Sequence, residues 1–131
     1  MFRRGPAIVF SLVLGAAALV TAPGAVAGDG GIAKDKDPCS DSATVKLRVE
    51  PYGDDRFEVT GTVWSDDEDV WDWRFRHDDD VSAKGSVRAK DDDRSFRIVR
   101  TMVNFSGESD FIAFRAENDR TGEVCRAELT Y

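Results

Sequence analysis

Apolar side chains recur at every second position over most of the chain, and this spacing constrains the fold more than any other feature. In the first such run, Val45, Leu47 and Val49 alternate with Lys46 and Arg48. A period of two places successive side chains on opposite faces of an extended strand, so these runs predict strands with one buried face. The same alternation returns at Phe57–Val63, Trp71–Phe75, Val81–Val87, Phe96–Ile98, Ile112–Ala116 and Cys125–Tyr131.

Short segments rich in glycine, aspartate and asparagine separate these runs. Gly53-Asp54-Asp55 follows the first run, and Asn118–Gly122 suits a tight hairpin in which Gly122 takes a positive φ. Beyond the first 27 residues, no window keeps helical spacing over three turns. We therefore predict an all-β fold, an antiparallel immunoglobulin-like β-sandwich of about seven strands.

Residues 1–27 carry the pattern of a secretory signal peptide. Arg3 and Arg4 form a basic head, the apolar stretch Ala7–Val20 follows, and Ala25 and Ala27 place small side chains at the −3 and −1 positions of a cleavage site. An uncleaved membrane anchor is the alternative, but the stretch is shorter than the ~20 apolar residues that a span needs. We expect cleavage after Ala27 and export to the cell envelope or the medium.

The rest of the chain is expected to contain a short linker and one domain. Residues 28–38 show no apolar period and are predicted to be a flexible linker, followed by the sandwich domain over residues 39–131. Cys39 and Cys125 are an isolated pair, which in an exported protein predicts one disulfide between the start of the domain and its last strand. A catalytic or metal-binding thiol is the alternative, but the chain has one histidine and no Cys-x-x-Cys motif.

The charge balance limits the partners. Without Arg3 and Arg4 the chain keeps 16 basic side chains against 25 acidic ones, a formal charge of −9. Nucleic acids and anionic membrane surfaces favour positive charge, so neither is expected as the main partner. A protein or a cell-envelope glycan is the expected partner, and a cation or a basic surface would suit the acidic loops.

Several segments together resemble a known group of proteins. They are KLRVEP after Cys39-Ser40, the aromatic run VWDWRFRH, SFRIVR, and RTGEVCRAELTY at the end. In this order the chain resembles small secreted immunoglobulin-like or fibronectin-III-like proteins of high-GC Gram-positive bacteria, mostly of unassigned function. The resemblance covers residues 39–131 and implies the fold, but it implies no catalytic or binding residue.

Acidic runs in the predicted turns are the first candidate site. In a simple sandwich, the turns that hold Asp66, Asp67 and Asp69 and, further on, Asp91 and Asp92 emerge at one end. Converging carboxylates could supply the oxygen ligands that Ca²⁺ requires, so a calcium site is a hypothesis for this end. The alternative is that the aspartates serve solubility and turn formation, because their side chains bond nearby backbone amides. No other cofactor is indicated.

Aromatic side chains are the second candidate. Tyr52 and Trp64 break the apolar alternation, so both are candidates for an exposed surface on which a sugar ring could stack. Trp71, Trp73 and Phe75 share one face of a strand whose other face is charged, and we expect them in the core.

Charged strand faces are the third candidate. The cations predicted to face outward or nearly so are Lys46, Arg48, Arg74, Arg76, Lys84, Arg88, Arg97 and Arg100. Their separation from the acidic turns could steer a partner. The alternative is ordinary cross-strand pairing with Glu50, Glu58, Asp72 and Glu128.

Nothing in the sequence indicates an enzyme. His77 lies at a strand end beside Asp78, but no serine carries the motif of an activated nucleophile. The leading hypothesis is an exported, non-enzymatic interaction or adhesion module. A carbohydrate- or calcium-binding accessory domain is the alternative.

Overall fold

The computed structural model describes residues 31–89, 95–104 and 109–131, and these residues form strands without any helix. Consequently no helix in these ranges could cross a membrane. The predicted signal peptide, residues 1–27, lies outside the described residues. The strands are β1 (Ala33–Pro38), β2 (Thr44–Pro51), β3 (Arg56–Trp64), β4 (Val70–His77), β5 (Asp80–Arg88), β6 (Ser95–Val103), β7 (Phe111–Asn118) and β8 (Val124–Thr130).

The strands form two antiparallel sheets of four, which confirms the predicted β-sandwich. The first sheet has the order β1-β2-β3-β6 and the second has the order β5-β4-β7-β8. Side chains at the predicted inward positions, such as Leu47, Val59, Trp71 and Phe114, are buried between the sheets. The period of two therefore identified the core, because each strand buries one face against the opposite sheet.

Strand β1 corrects the prediction of a flexible linker over residues 28–38. Residues 33–38 pair along their whole length with β2, from Ala33 opposite Val49 to Pro38 opposite Thr44. The side chains from Lys34 to Asp37 alternate in charge, so no apolar period marks this strand. Its backbone hydrogen bonds with β2 make it a strand, and it lies at the edge of the sheet, where polar side chains reach water.

The predicted disulfide between Cys39 and Cys125 is present and joins the two sheets. Cys39 follows β1 in the first sheet, and Cys125 occupies an inward position of β8 in the second. Beside the bond, Ser40 N–H donates to the carbonyl of Val124 at 2.9 Å, and Val124 N–H donates to Ser40 Oγ at 2.9 Å. This corner of the sandwich is therefore closed by covalent and backbone contacts together.

A buried carboxylate completes the same corner. Glu123 Oε2 accepts hydrogen bonds from the backbone N–H groups of Asp41 at 3.0 Å and Ala43 at 2.9 Å. Buried charge is tolerated when hydrogen bonds replace water, and here two amides of the β1–β2 connection do so. Glu123 thus fixes the β1–β2 connection against the start of β8.

The opposite edge of the sandwich, between β5 and β6, has a different closure. Arg100 was expected to face outward or nearly so, and it is exposed, although it continues the alternation of the buried Phe96 and Ile98 on β6. Its guanidinium carbon lies 4.9 Å from the ring centroid of Trp73, in a cation–π contact. Arg100 therefore lies against Trp73 at this edge of the core, while its side chain stays exposed to solvent.

We expect removal of the disulfide to weaken the fold strongly. Replacing both Cys39 and Cys125 by alanine opens a loop of 86 residues, so the free energy of unfolding should fall by ~4 kcal/mol on the chain-entropy model. Urea unfolding of the variant and of the oxidised wild type, followed by tryptophan fluorescence, measures the difference. A loss below about 1 kcal/mol would show that Glu123 and the backbone contacts hold this corner without the bond.

Gly61 gives a second test, because the opposite sheet leaves no room for a side chain there. A Cβ at Gly61 would lie 2.6 Å from the ring of Phe114. We expect Gly61→Ala to destabilise the domain by about 1–3 kcal/mol through overpacking. Adding Phe114→Leu to Gly61→Ala should restore part of the loss, and purely additive effects in this double-mutant cycle would contradict the clash.

Candidate functional site

The predicted calcium ligands of the β3–β4 turn have protein partners. Asp67 Oδ1 accepts hydrogen bonds from the indole Nε1 of Trp71 at 3.1 Å and from the backbone N–H of Asp69 at 3.0 Å. Asp69 receives a bidentate pair from Arg120, at 2.9 and 2.8 Å, and a bond from Asn118 Nδ2 at 3.0 Å. Asp67 therefore orients the core tryptophan, and Asp69 ties the β3–β4 turn to the β7–β8 turn.

The remaining calcium candidates do not complete a site within the described residues. Asp66 lies in the same turn and is exposed, while Asp91 and Asp92 lie outside the described residues. In the described ranges, the cluster of three potential metal ligands lies elsewhere, around His77. The positive charge beside Asp69 comes from the Arg120 guanidinium.

We expect the Asp69–Arg120 ion pair to make the stability of the fold depend on pH in the acidic range. Hydrogen bonds from Arg120, and then from Asn118, hold the pKa of Asp69 below its ordinary value of 3.8. A carboxylate whose pKa is lower in the folded than in the unfolded state contributes its full stabilisation at pH values above the ordinary pKa. This contribution is lost as the pH falls through the lowered pKa of the folded state. Asp69→Asn should therefore lower Tm at neutral pH, and the difference from wild type should shrink below pH 3.8.

Thermal unfolding between about pH 7 and pH 2.5 measures this effect. Asp54→Asn, in the exposed β2–β3 turn, is the matched control for loss of one carboxylate. A Tm difference that is equally large and equally pH-dependent in the control would assign the effect to net charge.

Tyr52 and Trp64, the predicted stacking residues, lie at opposite ends of the first sheet. Trp64 is opposite Thr44 at the start of β2, whereas Tyr52 follows Pro51 at the end of the same strand. Seven residues of strand separate these ends, roughly 23 Å at 3.3 Å per residue. The two rings therefore cannot stack on one sugar together, and the ring of Trp64 instead lies 5.4 Å from Lys36 Nζ.

The outer face of the second sheet carries a row of four cationic side chains. Antiparallel register places Arg74 of β4 between Lys84 of β5 and Arg115 of β7. Across the next pair of strands, Arg115 lies opposite Arg126 of β8. We call Lys84, Arg74, Arg115 and Arg126 the arginine row. Neighbouring strands lie ~4.8 Å apart, so the row spans roughly 14 Å, and like charges directly opposite each other destabilise a sheet.

Asp72, Glu117 and Glu128 occupy outward positions beside the arginine row and offset part of its charge. Within the described residues Arg115 forms an ion pair with Glu117 at 3.1 Å, whereas Lys84, Arg74 and Arg126 form none. The Nε atoms of Arg74 and Arg115 are buried and have no hydrogen-bond acceptor in this part of the chain. Burial, followed by the neighbouring arginine charges, lowers the pKa of Arg74. The row therefore keeps a net positive charge and is incompletely hydrogen-bonded.

Two grooves flank the arginine row and share Arg74 and Arg115 in their walls. One groove, of about 230 Å³, also contacts Arg76 and Arg126. The other, of about 440 Å³, also contacts Lys84. A ligand on this face would thus lie against guanidinium groups on both sides of the row.

Ordinary cross-strand pairing, the alternative considered from the sequence, does not describe this face. Asp72 accepts a hydrogen bond from the Ser86 hydroxyl, and Glu128 lies opposite Ala113. Among the four acids named for such pairing, Glu50 forms an ion pair, with Arg48 on its own strand at 3.2 Å. Arg115 and Arg126 were not singled out from the sequence, although both occupy outward positions of their strands.

The outer face of the first sheet is also basic. Lys34 lies opposite Arg48 and Lys36 lies opposite Lys46, so like charges again face each other across neighbouring strands. Lys46 is separated from Arg97 by a single threonine on β3. Burial, and then these surrounding cations, lower the pKa of Lys46. We call Lys34, Lys36, Lys46, Arg48 and Arg97 the second basic face.

No family model, curated protein or solved structure matches this chain. The resemblance to secreted sandwich proteins of high-GC Gram-positive bacteria stays a prediction. The arrangement of the residues themselves is therefore the basis for a functional proposal.

Proposed function

We propose that this chain is an exported, non-enzymatic binding module that holds an anionic glycan across the arginine row. The observation that carries the proposal is the register that aligns four cations on four neighbouring strands. Such a row destabilises the free sheet, because each cation faces another, and a bound anion would relieve that repulsion.

The chemistry of the row favours carboxylate, phosphate or sulfate groups. Arginine presents a planar fork of donors that matches such anions, and three of the four residues are arginines. The ~4.8 Å strand spacing is close to the length of one sugar unit in an extended polysaccharide. A linear glycan with one anionic group per sugar could therefore engage successive strands.

One feature favours a glycan over a nucleic acid. The outward positions beside the row on β4, β7 and β8 hold Asp72, Arg76, Ala113, Glu117, Val124 and Glu128, and none of them carries an aromatic ring on which bases could stack.

Two further observations support the proposed location of the protein and its proposed immunoglobulin-like fold. The Cys39–Cys125 disulfide is compatible with an oxidising compartment outside the cytoplasm. The order β2-β3-β6 facing β5-β4-β7-β8 fits an immunoglobulin-like arrangement of one three-stranded and one four-stranded sheet, to which β1 adds an edge strand. We propose on these grounds that the chain is an immunoglobulin-like module of the cell envelope or the medium.

Charge removal at the arginine row should weaken glycan binding more than equal charge removal elsewhere. The variant Lys84→Gln/Arg126→Gln removes the two exposed ends of the row. Lys34→Gln/Arg97→Gln on the second basic face is the matched control, since it also removes one exposed lysine and one exposed arginine. Binding to polygalacturonate, dextran sulfate and neutral dextran is measured by titration calorimetry at fixed ionic strength.

We expect the row variant to bind the acidic polymers at least about ten-fold more weakly, a change of about 1.4 kcal/mol, and the control to stay within about three-fold of wild type. Arg74→Lys should also weaken binding, because lysine keeps the positive charge but lacks the planar guanidinium donors that bind an anion through two hydrogen bonds. Equal losses in both double variants would contradict a specific site. Tight binding to poly-glutamate with none to either polysaccharide would instead indicate an acidic protein as the partner.

A further inference from the structure

A second cluster of polar side chains lies at the end of the sandwich opposite the Asp67–Asp69 turn. His77 Nε2 lies 2.7 Å from Asp110 Oδ1 and 3.4 Å from Asp78 Oδ2. The three donor atoms all lie within 4.8 Å of one another. Ligands around one tetrahedral or octahedral metal ion are separated by similar distances, so little movement would be needed to close them around a cation.

The turn between β4 and β5 holds Asp78 in place. Asp78 and Asp79 have φ values of 47° and 71°, the left-handed conformation of a two-residue hairpin turn. The second oxygen of the carboxylate, Asp78 Oδ1, accepts the backbone N–H of Phe111 at 2.8 Å, and Asp78 N–H donates to the carbonyl of Phe111 at 2.9 Å. Asp78 Oδ2 is thus directed by the fold towards His77.

Asp110 is equally constrained and is buried. Its backbone N–H and carbonyl pair with Tyr131 at 3.0 and 2.8 Å, and the residue is only 2% exposed. Oδ1 receives the hydrogen bond from His77, but Oδ2 is buried with no hydrogen-bond partner among the described residues. A buried carboxylate with an unsatisfied oxygen is costly unless a cation lies beside it.

The imidazole of His77 also has a fixed position. Its ring meets Phe57 edge-on at a centroid distance of 5.5 Å, and its side chain is 10% exposed. The side chain of Asp78 is 53% exposed, so the cluster is open to solvent on one side. The geometry therefore offers three fixed ligands and an accessible position for water or another ligand.

We propose that His77, Asp78 and Asp110 bind a divalent transition-metal ion, with Zn²⁺ the best match. One imidazole nitrogen and two carboxylate oxygens are ligands that zinc accepts readily, whereas Ca²⁺ prefers a larger set made of oxygens alone. The ion would neutralise the two carboxylates and replace the direct contact between His77 Nε2 and Asp110 Oδ1. It would also connect the β4–β5 turn to the segment before β7. This site is independent of glycan binding at the arginine row.

The test uses tag-free protein, because His77 is the only histidine of the chain and affinity tags bind metals. Titration calorimetry with ZnCl₂ should give one site per chain, and Zn²⁺ should shift the imidazole NMR signals of His77. Binding should be weaker at about pH 5.5 than at about pH 7.5, because metal ions and protons compete for the same ligand atoms. Zn²⁺ should also raise Tm, since it binds the folded state.

The decisive variant is Asp78→Asn, and Asp79→Asn is its matched control. Asparagine tolerates the left-handed turn and can still accept the Phe111 N–H, so Asp78→Asn removes one anionic ligand while it preserves the fold. We expect at least ten-fold weaker Zn²⁺ binding in Asp78→Asn and His77→Gln, and wild-type affinity in Asp79→Asn. Equal weakening in the two asparagine variants, or binding that leaves the His77 signals unshifted, would overturn the proposal. A Tm rise with Ca²⁺ and none with Zn²⁺ would overturn it as well.

Discussion

The covalent corner between β1 and β8 is the constraint on which both proposed sites depend. The Cys39–Cys125 bond, with Glu123 bound to the amides of the β1–β2 connection, fixes the last strand against the first sheet. Strand β8 in turn places Arg126 at the end of the arginine row. The residue that follows β8, Tyr131, pairs with the backbone of Asp110. A change at this corner would therefore reach the cationic face and the His77 cluster through one strand.

Net charge conceals the electrostatic character of the surface. The chain is acidic as a whole, with a formal charge of −7, yet the two broad faces of the sandwich are basic. Acidic side chains concentrate in the turns at both ends, where Asp67 and Asp69 anchor one turn and Asp78 anchors another. Charge is thus segregated by position on the sandwich. A partner would experience the local field of one face rather than the average over the molecule.

Sequence patterns predicted the sandwich, its core and its disulfide, because alternation with period two is a local signal that the buried faces impose. Strand β1 carries no such signal, since its residues around Lys36 become a strand only by pairing with β2. The alignment of Arg74 with Arg115 depends on strand register, which one sequence does not specify. His77 and Asp110 are 33 residues apart in the sequence, and their contact likewise depends on how the strands pair. Local patterns and the pairing of two cysteines were therefore visible in the sequence, whereas contacts that depend on strand register were not.

The position of the disulfide also has a mechanical consequence. Because Cys39 and Cys125 are 86 residues apart, a pulling force applied to the chain before Cys39 and after Cys125 would pass through one sulfur–sulfur bond. The 85 residues between them, which include six of the eight strands in full, would carry no tension. Only β1 and the part of β8 after Cys125 lie in the path of the force. Extension under tension would thus be limited to these two strands, while β2 to β7 stay shielded behind the bond.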